Sequence, residues 1–327
     1  MTSRTWARSA ALAAMLSGAV LTQGPMPAVD AAAGQTPPSE AAPGRLTLSH
    51  RARSVQPGEA LLLRLSSAEP LQSATVSGFD RRFEGARLMA MGEAGEMWQV
   101  VVGIDVEAAP GPVDLRVQAT TEAGGTLEAS HAVTVTPKTF RQRRLRVAPR
   151  YVSPPAAVRA RIEREAQRLN AIYETSTDEF LCTPPFARPV RHRLNSPFGS
   201  QSIYNGEVRG RHLGVDFASP AGTPIAAPAP GRVVLADDLY YTGRTVVIDH
   251  GQGVHSILAH MRRVGVETGE RVATGDVVGE VGSTGRSSGP HLHWSVRVGG
   301  ARVDPMSLVE IDRAARAHHE TVDAAVS

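Results

Sequence analysis

Only one cysteine, Cys182, occurs in the 327 residues. An internal disulfide is therefore excluded, and Cys182, beside Phe180 and Leu181, reads as a small buried apolar residue. An excess of either charge is missing too. The 35 Lys and Arg against 32 Asp and Glu leave +3, too little for a nucleic-acid footprint, so no nucleic-acid partner is expected. No apolar run reaches the roughly 20 residues that cross a bilayer, and no membrane span is expected in the mature chain. The apolar stretch Ala10 to Leu21 follows Arg4 and Arg8 and precedes the small residues Ala31 to Ala33. That is the order of an export signal, assigned to residues 1–33. No cysteine stands close behind it, which excludes lipid attachment at a processed N-terminal cysteine.

What is present falls into segments. Residues 34–43 (GQTPPSEAAP) have the composition of a linker. From 44 to 137 the chain alternates short apolar–polar runs, such as ALLLRLSS and PVDLRVQAT, with turn residues such as Pro57-Gly58. This pattern predicts an immunoglobulin-like antiparallel β-sandwich. Residues 138–185 form a connector. Within it Val158, Ile162, Ala166, Leu169 and Ile172 repeat at helical spacing after Pro154-Pro155, which predicts an amphipathic helix over 156–173 packed between two domains. Residues 186–311 are Gly-rich and strand-rich, as in RVVLA, TVVIDH, SILAHM and HLHWSVRV. They predict a compact antiparallel β domain. Residues 312–327 read as a tail. The fold class expected is thus mainly β.

Chemistry concentrates in three segments of the last domain. In HLHW, His291 and His293 are two residues apart, and in a strand such residues share a face. In RHLGVDF, His212 and Asp216 are four apart around Leu-Gly-Val, and an irregular strand lets both converge on one ion. Two imidazoles and a carboxylate form a borderline N/O set that suits zinc with one position left for water, whereas calcium and magnesium prefer all-oxygen sets. His260 ends the apolar run SILAHM. Arg209 and Arg211 precede the first motif and are candidates to contact substrate carboxylates, Arg209 foremost. His250, in the turn IDHGQGV, has a structural reading, and His255 is expected to alternate outward from the same hairpin.

Together these segments resemble the lysostaphin-type (LytM-like) zinc endopeptidases, which act on peptidoglycan. The matching residues are His212-Leu-Gly-Val-Asp216, His260 and His291-Leu-His293, with FASPAGTPIAAPAPGRVV, VIDHGQG and GSTGRSSGPHLHW around them. The resemblance implies a twisted antiparallel sheet with a central groove, the duplicated hybrid motif. It also implies one zinc ion per chain on His212, Asp216 and His293, with His260 and His291 acting on water and transition state. Many members carry Tyr two residues before the histidine matched by His260; Leu258 stands there here. The implied substrate is the stem or bridge peptides of peptidoglycan in the periplasm or cell envelope of a Gram-negative bacterium. The upstream half is expected to restrict the groove or to target the enzyme, and offers a surface for a regulatory partner.

Overall fold

The computed structural model describes residues 46–88, 96–145, 154–175, 177, 181, 183–204 and 207–311. The expected export signal, the linker, Cys182 and the tail lie outside the described residues. Seven strands come first: β1 (Thr47–Ala52), β2 (Ala60–Ser67), β3 (Leu71–Gly78), β4 (Arg81–Arg87), β5 (Glu96–Gly103), β6 (Gly111–Thr121) and β7 (Thr126–Val135). They pair in the order β1-β2-β5-β4-β3-β6-β7, every pair antiparallel. The edge strands β1 and β7 come together, with His50 Nδ1 2.7 Å from His131 Nε2. Alternation sets the core: in β6, Leu115, Val117 and Ala119 are buried while Asp114, Arg116 and Gln118 are exposed.

After β8 (Gln142–Leu145), helix α1 spans Ala156–Tyr173, the bounds the periodicity predicts. The remaining strands are β9 (Leu194–Ser196), β10 (Gln201–Tyr204), β11 (Glu207–Arg211), β12 (Val215–Phe217), β13 (Pro224–Ala226), β14 (Gly231–Leu239), β15 (Gly243–Asp249), β16 (Val254–Val264), β17 (Arg271–Val272), β18 (Val277–Val281), β19 (Leu292–Val298) and β20 (Ala301–Val303), followed by the single-turn helix α2 (Pro305–Val309). β8, β10 and β11 form a small separate sheet. The large sheet runs β17-β14-β15-β16-β19-β12-β9, with β18 beside β16, β13 beside β18, and β20 beside β19.

The two large sheets share one hydrophobic core within a single compact unit. Contact is close enough that a Cβ on Gly103 of β5 would fall 2.9 Å from the Ala301 methyl of β20. Polar groups close the same seam. Asp304 N–H donates to Gly58 O at 2.7 Å, Ala60 N–H to Ser307 Oγ at 3.1 Å, and Arg302 Nε to Asp105 Oδ2 at 2.9 Å.

Helix α1 is not wedged between the two halves. It lies on the open face of the large sheet, where Leu169, Ile172 and Tyr173 pack on Leu235, Leu239, Val247 and Ile257. None of its residues is fully buried. Its ion pairs, Arg168 with Asp237 at 2.6 Å and Arg161 with its own Glu165 at 2.6 Å, are exposed and worth little each. Three apolar side chains dock it together with two hydrogen bonds, Arg161 Nη2 donating to Asp238 O at 2.7 Å and Tyr240 N–H to Glu165 Oε2 at 2.8 Å.

His255 corrects an expectation. It is fully buried, with Nε2 3.8 Å from Asp249 Oδ1 and the Tyr173 ring edge-on at 6.0 Å. The reason is α1, which covers the face that the alternation of β16 assigns to His255. His250 is buried as a structural residue: its Nδ1–H donates to Pro230 O at 2.7 Å, and its Nε2 stands 2.9 Å from Ser256 Oγ.

Burial pushes the His250 imidazole down to about 4, since the fold has no room for its charged form. Between pH 6.5 and 4 the unfolded chain therefore binds a proton here that the folded chain does not. Stability is complete above pH 6.5, falls as the pH drops, and levels off below about 4. The full loss from this residue is roughly 3 kcal/mol. Urea midpoints of the full chain measured across that window should fall more steeply than those of His250→Gln. Parallel curves would refute this role for His250.

Candidate active site

Two strands build the centre. β12 and β19 pair antiparallel with Asp216 directly opposite His293. Cross-strand neighbours on one face stand about 5 Å apart at Cβ, so the carboxylate and the imidazole meet without further help. His212 arrives from the end of β11, through the Leu-Gly turn. That turn needs Gly214: a Cβ there would lie 2.6 Å from both His293 Cε1 and Trp294 O. The glycine in the His-x-x-x-Asp spacing is therefore a steric requirement for seating the third donor beside the other two.

The three donor atoms converge. His212 Nε2 lies 3.0 Å from Asp216 Oδ1 and 3.1 Å from His293 Nδ1, and His293 Nδ1 lies 2.9 Å from the same oxygen. Among the described residues, these three form the group of metal-ligating side chains with donors all within 4.8 Å of one another. Their side chains are 12–17% exposed. Burial works against ionisation of Asp216, but the hydrogen bonds from His212 and His293 outweigh it and hold the carboxyl well below the usual range. Burial likewise lowers His293, favouring the neutral imidazole that binds a metal. The orientation of His212 is fixed from behind, where its Nδ1 faces Ser196 Oγ at 3.1 Å and Pro197 O at 3.3 Å. Such outer hydrogen bonds commit the opposite ring nitrogen to ligation. Two neutral nitrogens and one carboxylate, with solvent access on one side, fit a zinc ion that keeps an open position. They do not fit calcium or magnesium.

Two further imidazoles overlook this centre. The His260 ring centroid is 4.8 Å from that of His291 and 5.9 Å from that of His293. His291 Nε2 stands 3.8 Å from Asp216 Oδ1. Each has its other nitrogen committed: His291 Nδ1–H donates to Gly289 O at 2.8 Å, and His260 Nδ1–H to Thr284 O at 2.8 Å. A carbonyl only accepts, so the proton sits on Nδ1 and Nε2 carries the lone pair. Burial, with help from His293 and His291, pushes His260 down to about 3. His260 also has φ 63°, a left-handed conformation uncommon outside glycine. That kink ends the plain alternation of β16. Leu258, two residues earlier, is fully buried in the core.

A groove of about 410 Å³ opens over the centre. Its floor is His293, Ser295 and Arg297 of β19 with Ile257 of β16; its rims carry Arg211 and Tyr241, Arg286, Ser287 and Ser288. Leu169, Asn170 and Tyr173 of α1 close one end. Arg209 lies on β11, but its side chain is outside what the structure describes. The sequence pattern singles out Arg211 but not Arg286, Arg297 or Tyr173. Of these three, only Arg297 carries a readable signal, its even spacing from His293 on one strand. Among the described residues, no helix is long and apolar enough to cross a membrane.

Fold and site define a metal-dependent hydrolase: three convergent donors for one ion, with two lone-pair imidazoles beside them in an open groove. Residues 210–305 match the sequence profile of Peptidase family M23. A crystal structure of a peptidase M23 from Pseudomonas aeruginosa is 32% identical, covers 79% of this chain and 96% of its own, and superposes with a TM-score of 0.61. The chain belongs to peptidase family M23, a family of metallopeptidases. The DD-carboxypeptidase/endopeptidase Mpg of Neisseria meningitidis is 40% identical over 119 residues, 36% of this chain and 27% of that protein. The peptidoglycan DD-endopeptidase ShyA of Vibrio cholerae is 36% identical over 115 residues, 35% of this chain and 27% of its own length. The match spans little more than a quarter of these curated relatives.

Proposed function

We propose that this chain is a zinc-dependent endopeptidase that hydrolyses peptide cross-links of bacterial peptidoglycan. The observation that carries the reading is the convergence of His212, Asp216 and His293 beneath the Nε2 atoms of His260 and His291. A bound zinc lowers the pKa of a coordinated water to about 7 and polarises the scissile carbonyl. The chain's own residues do the rest. Asp216 stays ionised, and each imidazole would hold the ion with the nitrogen that faces Asp216, giving up any proton shared there. His260 and His291, each locked by a backbone carbonyl, present lone pairs that take and return protons near the reacting bond. Their neutral rings also polarise or steady the developing oxyanion.

The names of the relatives favour D-alanyl cross-links over glycine bridges. Residues 1–33 are proposed as an export signal that delivers the chain to the envelope of a Gram-negative host. The upstream sheet is proposed as immunoglobulin-like, supported by its order: β1-β2-β5-β4 and β3-β6-β7 reproduce the two leaves of that fold. Regulation is proposed to lie in α1, the element that reaches the groove, and a regulatory partner would act by moving it.

Digestion of purified sacculi followed by mass spectrometry of the muropeptides tests the activity. Cross-linked dimers should decline and monomers rise, with glycan strands and the muramyl amide bonds intact. Intact dimers alongside cut glycan or freed stem peptides would overturn the reading.

A further inference from the structure

Arg297 is a cation on the groove floor with no acid paired to it among the described residues. It lies four residues beyond His293 on β19, so both side chains share the groove face, about 13 Å apart along the strand. The side chain is only partly exposed. Its strand neighbour Arg302 has taken Asp105, with Nη2 2.5 Å from Oδ1 and Nε 2.9 Å from Oδ2. On the other side His255 is the cross-strand partner, and Asp249 lies beside that histidine and accepts the Gly251 N–H at 2.8 Å. Burial lowers the Arg297 pKa; Tyr173 and the charge of Asp105 oppose this, and the positive charges of Arg302 and Arg81 add to it. A guanidinium nonetheless stays charged in a protein.

What covers Arg297 is Tyr173, the last residue of α1. The Arg297 Cζ lies 5.2 Å from the Tyr173 ring centroid. Such a contact offsets only part of the cost of a half-buried cation. The rest of the groove has the same bias: Arg211 and Arg286 stand on its rims, and Asp216, already committed to the metal donors, is the one carboxylate among its described lining residues. Arg211 stacks on Phe140 at 4.9 Å and Arg286 on Tyr241 at 4.7 Å.

We propose that Arg297 is a carboxylate-binding subsite on the groove floor, which anchors an anionic peptide about 13 Å from the scissile bond, and that Tyr173 covers this subsite until the peptide carboxylate displaces it. Planar, forked guanidinium donors match a carboxylate bidentately, and in a partly dry groove that pairing outcompetes an aromatic face. Three to four extended residues span the distance. The substrate class is therefore a peptide with a free carboxylate three or four residues from the cut, which in peptidoglycan stems the α-carboxylate of the γ-linked glutamate supplies. The charge that identifies the substrate also displaces Tyr173 at the end of α1, while Leu169 and Ile172 keep the helix on the sheet. This inference rests on the peptidoglycan reading above.

The test uses the full chain and cross-linked stem-peptide dimers made in two forms, with the γ-linked glutamate as the free acid or as its α-amide. Binding of the corresponding uncross-linked tetrapeptides is measured by calorimetry, a readout that needs no turnover. The unaltered protein should prefer the acid by about tenfold or more in kcat/KM and in affinity. Arg297→Gln should bring both ratios close to one, and Arg297→Lys should keep part of the preference. Tyr173→Ala should lower KM for the acid more than for the amide, with kcat little altered. Preservation of the acid preference in Arg297→Gln, or its absence in the unaltered protein, overturns the inference. So does an equal gain for both forms in Arg297→Gln, which would make Arg297 merely a clamp for α1. Dimer hydrolysis without acid preference sinks this inference and leaves the activity standing. Acid-selective binding through Arg297 without any hydrolysis does the reverse.

Discussion

His293→Ala is expected to bring the purified protein from about one zinc ion per chain to a small fraction of that. Cross-link hydrolysis should fall with it by a factor of about a thousand or more. The size follows from the geometry. His293 Nδ1 is 2.9 Å from Asp216 Oδ1 and 3.1 Å from His212 Nε2, so its removal leaves two donors where three converged. It also removes one of the two hydrogen bonds that offset the burial of Asp216, whose charge then lies less well compensated. The fold should survive, because His293 faces the groove while its neighbours Leu292 and Trp294 are fully buried in the core. Metal analysis together with circular dichroism separates the two effects. A folded His293→Ala protein that retains its full complement of zinc would remove His293 from the ligand set, and with it the proposed centre.

Much of this centre is legible in the amino-acid sequence. The two-residue spacing of His291 and His293 places both on one strand face, and the glycine between His212 and Asp216 signals a departure from helix. Alternation marks the strands, and the spacing of Leu169 and Ile172 marks the helix to its terminal residues. What stays unread in a sequence is where elements meet. Periodicity shows that α1 has an apolar side, but not that this side lies on Val247 and Ile257 at the end of the groove. The outward expectation for His255 fails for the same reason, since alternation divides a strand into two faces and only packing shows which of them is covered. Arg297 shows its strand face by its even spacing from His293, but nothing of its role. An arginine in a strand reads as solvated, and its significance comes from Tyr173, 124 residues earlier in the chain, and from the lack of a paired carboxylate among the described residues. The expectation of separate domains also passes over a shared core, because Gly103, Ala301 and Asp304 carry no local mark of the seam they form.

His291→Ala should keep its zinc and lose about a hundred- to ten-thousandfold in turnover, the usual contribution of a positioned acid–base group. Two facts separate His291 from the ligands. Its Nε2 is 3.8 Å from Asp216 Oδ1, beyond the 2.9–3.1 Å at which the three donors meet, and its Nδ1 is held by Gly289 O at 2.8 Å. The free nitrogen therefore overlooks the centre without belonging to it. The loss should fall on kcat more than on KM, because a proton acceptor acts in the transition state and contributes little to ground-state binding. His291→Gln is the sharper variant: its amide fills similar space and still hydrogen-bonds, but it takes up no proton near neutral pH. Partial rescue by Gln would assign His291 to oxyanion stabilisation, and equal loss in Ala and Gln would assign it to proton transfer. His260 lies 4.8 Å from His291 between ring centroids and presents the same kind of lone pair, so the two should act as a unit. Removing both should then cost little more than removing the more important one. Normal hydrolysis of sacculi by zinc-replete His291→Ala would show that this imidazole has no part in the reaction, and the proton traffic would pass to His260 alone.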